Sequence, residues 1–231
     1  MRFFSYLTGL FVFALFAQPS AQAAIFFGFG VNGGPPLPTN EVNAFVNDLL
    51  TINVYLVEDD IPLPDTRLTD NGVLNFDFVA DYQNTFGNVT SVMASNSFPV
   101  FQIEQINEVP SPAFSNFRMA GTEASFINGV KPAPGTRYVE LGNYMFQVTD
   151  AGITEFVFTD PDPSPGVDNN GLGAPSFEII DTEIFATIPP PLFRVVSATA
   201  IPEPSSCVAL AGLLCVGALR LRRRRKAKSA V

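Results

Sequence analysis

Short stretches in which apolar and polar residues alternate fill the middle of this chain, and a period of two is typical of β-strands with one buried face. The clearest stretch spans residues 72–82, where Leu74, Phe76 and Phe78 share one side and Asn75 and Asp77 share the other. The pattern predicts further strands at residues 51–58, 88–95, 98–106, 124–127, 143–149, 153–159, 176–180, 183–187 and 192–199.

Turn residues between these stretches predict how the strands connect. Residues 143–149 and 153–159 alternate on either side of Asp150-Ala151-Gly152, which favours a hairpin. Residues 40–50 favour one short helix, and the Gly- and Pro-rich residues 26–40 favour an irregular arm. An antiparallel sheet with one apolar face must bury that face. We therefore expect an all-β fold, a single antiparallel β-sandwich of the immunoglobulin-like or jelly-roll kind, with a barrel as the alternative.

The first residues of the chain have a different pattern. A single cation, Arg2, precedes an apolar run over residues 3–16, and the small residues Ala21 and Ala23 follow. This order predicts a secretory signal peptide over residues 1–23 that is cut between Ala23 and Ala24. A transmembrane helix is the alternative, but Pro19 follows the run too closely for a full span.

The last residues, 201–231, contain three parts in sequence: Pro202-Glu203-Pro204, an apolar run over residues 207–219, and a basic end. A helix of this run would be roughly 20 Å long, whereas the hydrocarbon layer is roughly 30 Å thick. The cations that follow the run orient such a helix with its C-terminus in the cytoplasm. These cations are Arg220, Arg222, Arg223, Arg224, Arg225, Lys226 and Lys228. The segment therefore predicts a short, transient anchor in the inner membrane.

Pro202-Glu203-Pro204 followed by a short apolar helix and an arginine cluster resembles the PEP-CTERM sorting signal of Gram-negative bacteria. The resemblance implies export by the secretion machinery and cleavage near the tripeptide by exosortase, a membrane-embedded transpeptidase. It also implies a final location at the cell surface, in the extracellular matrix or in a biofilm. The alternative is an ordinary tail-anchored or single-span protein.

Charge and composition narrow the chemistry of the exported part. Between the two end segments the chain carries 21 acidic and five basic residues, a balance that excludes nucleic-acid binding. The chain has no histidine, and Cys207 and Cys215 both lie in the apolar run, so histidine-based and thiol-based catalysis are excluded for the domain. We expect a protein without enzyme activity, and a carboxylate-based secreted hydrolase is a further alternative.

One acidic loop, residues 160–173, is a candidate for weak calcium binding. Calcium takes six to eight oxygen ligands, and the loop offers carboxylates and amides close together. The candidate ligands are Asp160, Asp162, Asp168, Asn169 and Asn170. The alternative is a plain loop, because its prolines and Asn-Gly pair are what turns require. Glu58, Asp59 and Asp60 with Asp65 form a second candidate, and no other cofactor is expected.

Residues 52–58, 72–82, 138–158 and 176–181 are similar in strand spacing and glycine placement to cohesin-like sandwiches found in PEP-CTERM proteins. The resemblance implies the sandwich fold but does not transfer dockerin binding, since no recognition residues match. We expect adhesion or matrix assembly, with extracellular polysaccharide among the partners, and a carbohydrate-binding module is the alternative. The expected organisation is a signal peptide (1–23), a leader arm (24–50), the sandwich (51–200) and the sorting signal (201–231).

Overall fold

The computed structural model of the chain describes residues 23–59, 67–111, 114–125, 128–162, 170–185 and 191–199. Within these ranges the strands are β1 Ile25–Val31, β2 Glu41–Phe45, β3 Leu49–Glu58, β4 Val73–Gln83, β5 Gly87–Ala94, β6 Val100–Ser111, β7 Phe114–Thr122, β8 Tyr138–Val148, β9 Gly152–Thr159, β10 Gly171–Leu172 and β11 Leu192–Ala198. Two five-residue helices also occur there, α1 Arg67–Asn71 and α2 Asp181–Phe185.

The strands of these described ranges form two sheets. A small sheet has the order β1-β3-β8-β5, and a large sheet has the order β2-β11-β9-β4-β7-β6, with β10 paired to β4. The alternation seen in the sequence sets the faces: in β4, Phe76, Phe78 and Ala80 are buried between the sheets, while Asp81 and Gln83 are exposed. The predicted β-sandwich is confirmed.

Aromatic rings fill the space between the two sheets. Phe158 of the large sheet lies 4.7 Å from Phe29 and 5.6 Å from Phe27 of the small sheet, measured between ring centroids. Phe117 lies 4.6 Å from Tyr144 across the same gap. Edge and tilted contacts of this kind add to the burial of apolar area, so the phenylalanine-rich composition is explained by this core.

The expected hairpin of residues 143–149 and 153–159 is wrong. Strand β8 pairs with β3 and β5 in the small sheet, whereas β9 pairs with β4 and β11 in the large sheet. The chain between them therefore crosses from one sheet to the other. Both strands do bury one apolar face, but these faces meet across the core, where Phe146 and Phe156 lie 5.2 Å apart.

The expected arm and short helix over residues 24–50 are also wrong, because this segment contains β1, β2 and the start of β3. Phe27 and Phe29 of β1 are fully buried, so the burial of their rings outweighs the turn preference of the neighbouring glycines. Strand β2 pairs in parallel with β11, with Arg194 opposite Glu41 and Ala198 opposite Phe45. The large sheet is therefore mixed and not purely antiparallel.

Three further strand predictions need correction. Residues 124 and 125, the described part of the predicted strand 124–127, form a turn after β7. Strand β7 itself was not predicted, although the buried Phe117 and Met119 alternate with Asn116 and Arg118. Residues 176–180 form turns and one isolated bridge to Gly171, not a strand. The predicted strand 183–187 is wrong where it is described, because residues 181–185 form α2. Ile184 N donates to Ile180 O at 3.0 Å, and Glu183 accepts from Arg67 Nη1.

Candidate functional site

An open hollow on the outer face of the small sheet is the strongest candidate for a binding site in the described chain. It has a volume of about 430 Å³ and is bordered by loops on both sides. Its floor comes from β3 and β8, through Tyr55, Tyr138 and Glu140, and its walls include Lys131, Thr136 and Ser97. We call this site the tyrosine hollow.

Sheet register places the two rings of the tyrosine hollow together. Tyr55 lies opposite Glu140, and Tyr138 lies opposite Val57, the next outward-facing position on β3. The ring centroids of Tyr55 and Tyr138 are 5.2 Å apart at an interplanar angle of 76°, an edge-to-face contact. The Tyr55 ring is buried and the Tyr138 ring is partly exposed, so Tyr138 supplies the accessible aromatic surface.

Polar contacts fix the floor of the tyrosine hollow. The Tyr55 hydroxyl donates to Gly34 O at 2.8 Å, and burial, with the nearby Glu140 carboxylate, raises the pKa of Tyr55 to about 12. Asn53 Nδ2 donates to Glu140 Oε1 at 2.9 Å. Asn53 is itself buried, and its Oδ1 accepts from Gly33 N at 2.9 Å, so it positions Glu140. The Glu140 carboxylate, held beside an aromatic ring, can accept hydrogen bonds from a hydroxylated ligand.

Glycine allows one wall of the tyrosine hollow to form. The chain after β1 turns at Asn32 and Gly33, whose φ angles are 54° and 76°, and folds back over the outer face of β1. A Cβ on Gly30 would lie only 2.8 Å from Pro35 O and would also collide with Gly34 O. The missing side chain at Gly30 therefore makes room for the segment that accepts the Tyr55 hydrogen bond.

A second, smaller hollow of about 290 Å³ lies on the outer face of the large sheet. It is lined by Asp81 and Glu155 together with the apolar side chains of Phe114, Ile153 and Val157. Glu155 Oε1 accepts a hydrogen bond from Arg194 Nε at 2.8 Å. The Glu155 carboxylate is therefore paired with a cation. This pairing does not favour a role for Asp81 and Glu155 as the acid and base of a hydrolase.

Among the ion pairs between described residues, the most buried cation is Arg67, whose side chain is 6% exposed. Arg67 Nη2 contacts Glu178 Oε1 at 2.6 Å and Glu183 Oε2 at 2.9 Å, and Nη1 donates to Ala23 O at 2.9 Å. The backbone N of Arg67 donates to Glu58 Oε1. We call Arg67, Glu58, Glu178 and Glu183 the Arg67 cluster; it ties the start of β1 to α1 and α2.

The structure describes three of the predicted calcium ligands: Asp160, Asp162 and Asn170. Asn170 is completely buried: its Nδ2 donates to Asp77 O at 3.0 Å and to Asp181 Oδ1 at 2.5 Å, and its Oδ1 accepts from Asp77 N at 3.0 Å. Asp160 instead caps its own turn by accepting from Asp162 N at 3.0 Å. The side chain of Asn170 is therefore engaged by hydrogen bonds within the fold.

Some of the predicted metal ligands lie outside the described residues, namely Asp60, Asp65, Asp168 and Asn169. Among the residues that are described, no three His, Cys, Asp or Glu side chains group in a way that could hold a metal ion. No helix in this described part is long and apolar enough to cross a membrane. Pro202, Glu203, Pro204 and the arginines from Arg220 onward lie outside it, whereas Ala23 and Ala24 are described.

The chain matches no family model and no curated protein sequence. Solved structures similar to it are cohesin modules, in line with the resemblance noted in the sequence. One is the cohesin in a type I cohesin–dockerin complex from Clostridium thermocellum, with 14% identity, 77% of this chain and 99% of that chain covered, and a TM-score of 0.43. Another is the sixth cohesin of scaffoldin B from Acetivibrio cellulolyticus, in complex with a dockerin, with 11% identity, coverage of 78% and 100%, and a TM-score of 0.44.

A third is the seventh type I cohesin of ScaB from Pseudobacteroides cellulosolvens, with 12% identity, coverage of 77% and 96%, and a TM-score of 0.39. Similarity at this level carries nothing about partners or activity. The sandwich architecture follows from the strand pairing itself, and the candidate site follows from the side chains within it.

Sequence reasoning missed both the tyrosine hollow and the Arg67 cluster. Their members are far apart in the chain: Tyr55 and Tyr138 meet only through the register of β3 with β8, and Arg67 meets Glu178 only through the fold. One feature of the sequence could have indicated the Arg67 cluster. Arg67 is one of only five basic residues between the end segments, and a cation that is buried in an acidic domain is almost always paired with a carboxylate.

Proposed function

We propose that this protein is an exported surface or matrix protein without enzyme activity, in which the β-sandwich works by adhesion. The C-terminal PEP-CTERM-like segment directs it to the outside and is removed there by an exosortase. The order of Pro202-Glu203-Pro204, apolar run and arginine cluster is the observation that carries this proposal. The acidic surface of the exported part suits a soluble domain outside the cell.

The position of β11 supports processing at this place in the chain. This strand ends at Ala198, so only residues 199–201 separate the folded domain from Pro202. Three extended residues span about 10 Å. Strand β11 is held between β2 and β9, so removal of the segment from Pro202 onward takes no strand from the sandwich.

Paired proline variants test the proposal in a host that contains an exosortase. Pro202→Ala with Pro204→Ala should retain the protein in the membrane fraction, whereas the unchanged chain should reach the medium or outer surface. Pro189→Ala with Pro190→Ala is the matched control, with the same change upstream of β11, and should behave like the unchanged chain. Equal release of both variants would contradict the proposal.

Carbohydrate binding is a second candidate, and the tyrosine hollow is the observation that favours it. The partly exposed Tyr138 lines the hollow together with Glu140 and Lys131, so an apolar sugar face and several sugar hydroxyls could be bound together. Glycan-array binding followed by titration calorimetry tests it. Tyr138→Ala should weaken binding at least tenfold, Tyr138→Phe should weaken it little, and Phe101→Ala, at an exposed aromatic elsewhere, is the matched control.

A further inference from the structure

The Arg67 cluster holds more negative than positive charge around the start of β1. Arg67 pairs with both Glu178 and Glu183, and Glu58 approaches from β3 through its contact with the Arg67 backbone. The Arg67 guanidinium pairs with Glu178 and Glu183, whose side chains are 33% and 28% exposed, whereas Glu58 is 2% exposed and lies beside the Arg67 backbone N–H. A buried carboxylate such as Glu58 is costly unless a cation or hydrogen-bond donors satisfy it.

Glu58 shows where that cation is lacking. It is 2% exposed and lies opposite Ile25 in the β1–β3 register. Its Oε2 atom is buried and has no hydrogen-bond partner in the part of the chain that the structure describes. Burial raises the pKa of Glu58, although the backbone hydrogen bonds from Arg67 and Leu68 and the charge of Arg137 act in the opposite direction.

The bond between Ala23 and Ala24 lies against this cluster. Its carbonyl oxygen, Ala23 O, is the atom that accepts from Arg67 Nη1 at 2.9 Å. One residue further on, Ile25 N donates to Glu183 Oε1 at 2.6 Å, and Ala24 O accepts from Asp59 N at 2.8 Å. The expected signal-peptide cut therefore falls among the charged side chains of the Arg67 cluster.

We infer that the α-ammonium group of Ala24, once freed by signal-peptide removal, is bound by the Arg67 cluster as its missing cation. The inference rests on the proposed export. Hydrolysis breaks the Ala23–Ala24 peptide bond, and water supplies one oxygen of the Ala23 carboxylate on the released peptide. The Ala24 nitrogen takes up the protons and becomes an ammonium with an ordinary pKa of about 7.7–8.0.

Two consequences follow from this site. The uncut bond is engaged in the fold, since Ala23 is 2% exposed, so cleavage must precede the docking of β1 against Arg67. The mature chain should then be more stable than an extended chain. Carboxylates raise the pKa of a neighbouring amine, so the extra stability is complete below pH of about 7.7 and is lost as pH rises through the higher folded pKa.

The test compares two proteins with the same C-terminus at Val231, held in the same detergent: one begins at Ala24 and the other at Ala21. The melting temperature of the shorter protein should be higher by about 2–4 °C near pH 6.5, which corresponds to one ion pair in a domain of this size. The difference should vanish above pH of about 10, where the amine is neutral. A difference that does not change with pH would overturn the inference.

Titration of the amine itself gives a second readout that folding defects do not imitate. Dimethylation with ¹³C-formaldehyde labels the α-amine, and its NMR shift should titrate above the ordinary range in the unchanged protein. Glu183→Gln should lower that pKa, while Glu155→Gln, at an exposed pair elsewhere, should not. An ordinary amine pKa in all three proteins would overturn the inference.

N-terminal sequencing of the exported protein separates this inference from the proposed function. A protein that is exported and begins at Ala24 but titrates normally contradicts ammonium binding alone. A protein that is never exported contradicts the proposed function. An exported protein that begins at another residue overturns the assignment of the cut and with it the ammonium site.

Discussion

Three arginines form ion pairs at different depths, and they predict a graded loss of stability. The Arg67 side chain is 6% exposed, Arg118 is 35% exposed and Arg194 is 46% exposed. Each is changed to methionine, which keeps much of the side-chain volume but removes the charge and the donors. The order of destabilisation should follow the order of burial.

The contacts set the magnitudes. Arg67→Met removes a guanidinium that is 6% exposed from Glu178 and Glu183, which are 33% and 28% exposed, and leaves Ala23 O without its donor. The loss should cost at most about 3–5 kcal/mol, or about 6–20 °C in melting temperature. Arg118 donates Nε and Nη2 to the two Asp77 oxygens at 3.0 and 2.5 Å, and its loss should cost about 1.5–3 kcal/mol. Arg194→Met removes one exposed pair with Glu155, which should cost about 0.2–1 kcal/mol.

Urea unfolding followed by circular dichroism measures these differences, with added salt as a second variable. In about 1 M salt the small effect of Arg194→Met should disappear, because exposed charges are screened over about 3 Å, while the effect of Arg67→Met should persist. An Arg194 variant that loses as much stability as the Arg67 variant would refute the reasoning. So would an effect of Arg67→Met that salt removes.

Further predictions concern the tyrosine hollow and the buried amide. Gly30→Ala should lower the free energy of unfolding, measured in urea, by about 1–3 kcal/mol, because its Cβ meets the backbone of the segment after β1. Thr51→Ala, on the same sheet face, is the control and should lower it less. Equal losses would contradict the packing described. Absorbance near 295 nm follows the ionisation of Tyr55, which should occur near pH 12. Since this pKa lies above the ordinary value of about 10, the stability that the protonated hydroxyl provides is complete below pH of about 10 and is lost as pH rises toward 12. Tyr55→Phe should remove that late absorbance step, and an unchanged titration would contradict it. Asn170→Ala should cost about 2–3 kcal/mol equally with calcium and with chelator, whereas a larger cost in calcium would restore the predicted metal loop.

The sequence predicted a strand best where apolar and polar residues alternate along that strand itself. Strand β4 was predicted within one residue at each end, because alternation of Phe76 and Phe78 with Asp77 reports directly which side is buried. Alternation does not report the partner strand, and for this reason β8 and β9 were placed in one hairpin although they face each other across the core. Strand β1 was missed because its glycines resemble a turn when read locally.

The candidate site depended on information that a linear reading lacks. Tyr55 and Tyr138 become neighbours only when β3 pairs with β8 at one register and the chain after β1 folds back at Gly33. Asn170 was assigned to calcium because it follows an acidic loop, but its amide satisfies buried backbone and carboxylate groups of Asp77 and Asp181. The composition of the loop predicted Asn170 as a calcium ligand, whereas in the fold its side chain makes structural hydrogen bonds.

Intact-mass spectrometry of the protein recovered from outside the cell tests the central proposal most directly. In cells with an active exosortase, the recovered protein should begin at Ala24 and lack the residues from the Pro202-Glu203-Pro204 region onward, including every arginine from Arg220 to Arg225. In cells without the enzyme, this shortened form should be absent and the tail should remain attached in the membrane fraction. Recovery of the same mass from both strains, with residues through Val231 present, would contradict the account.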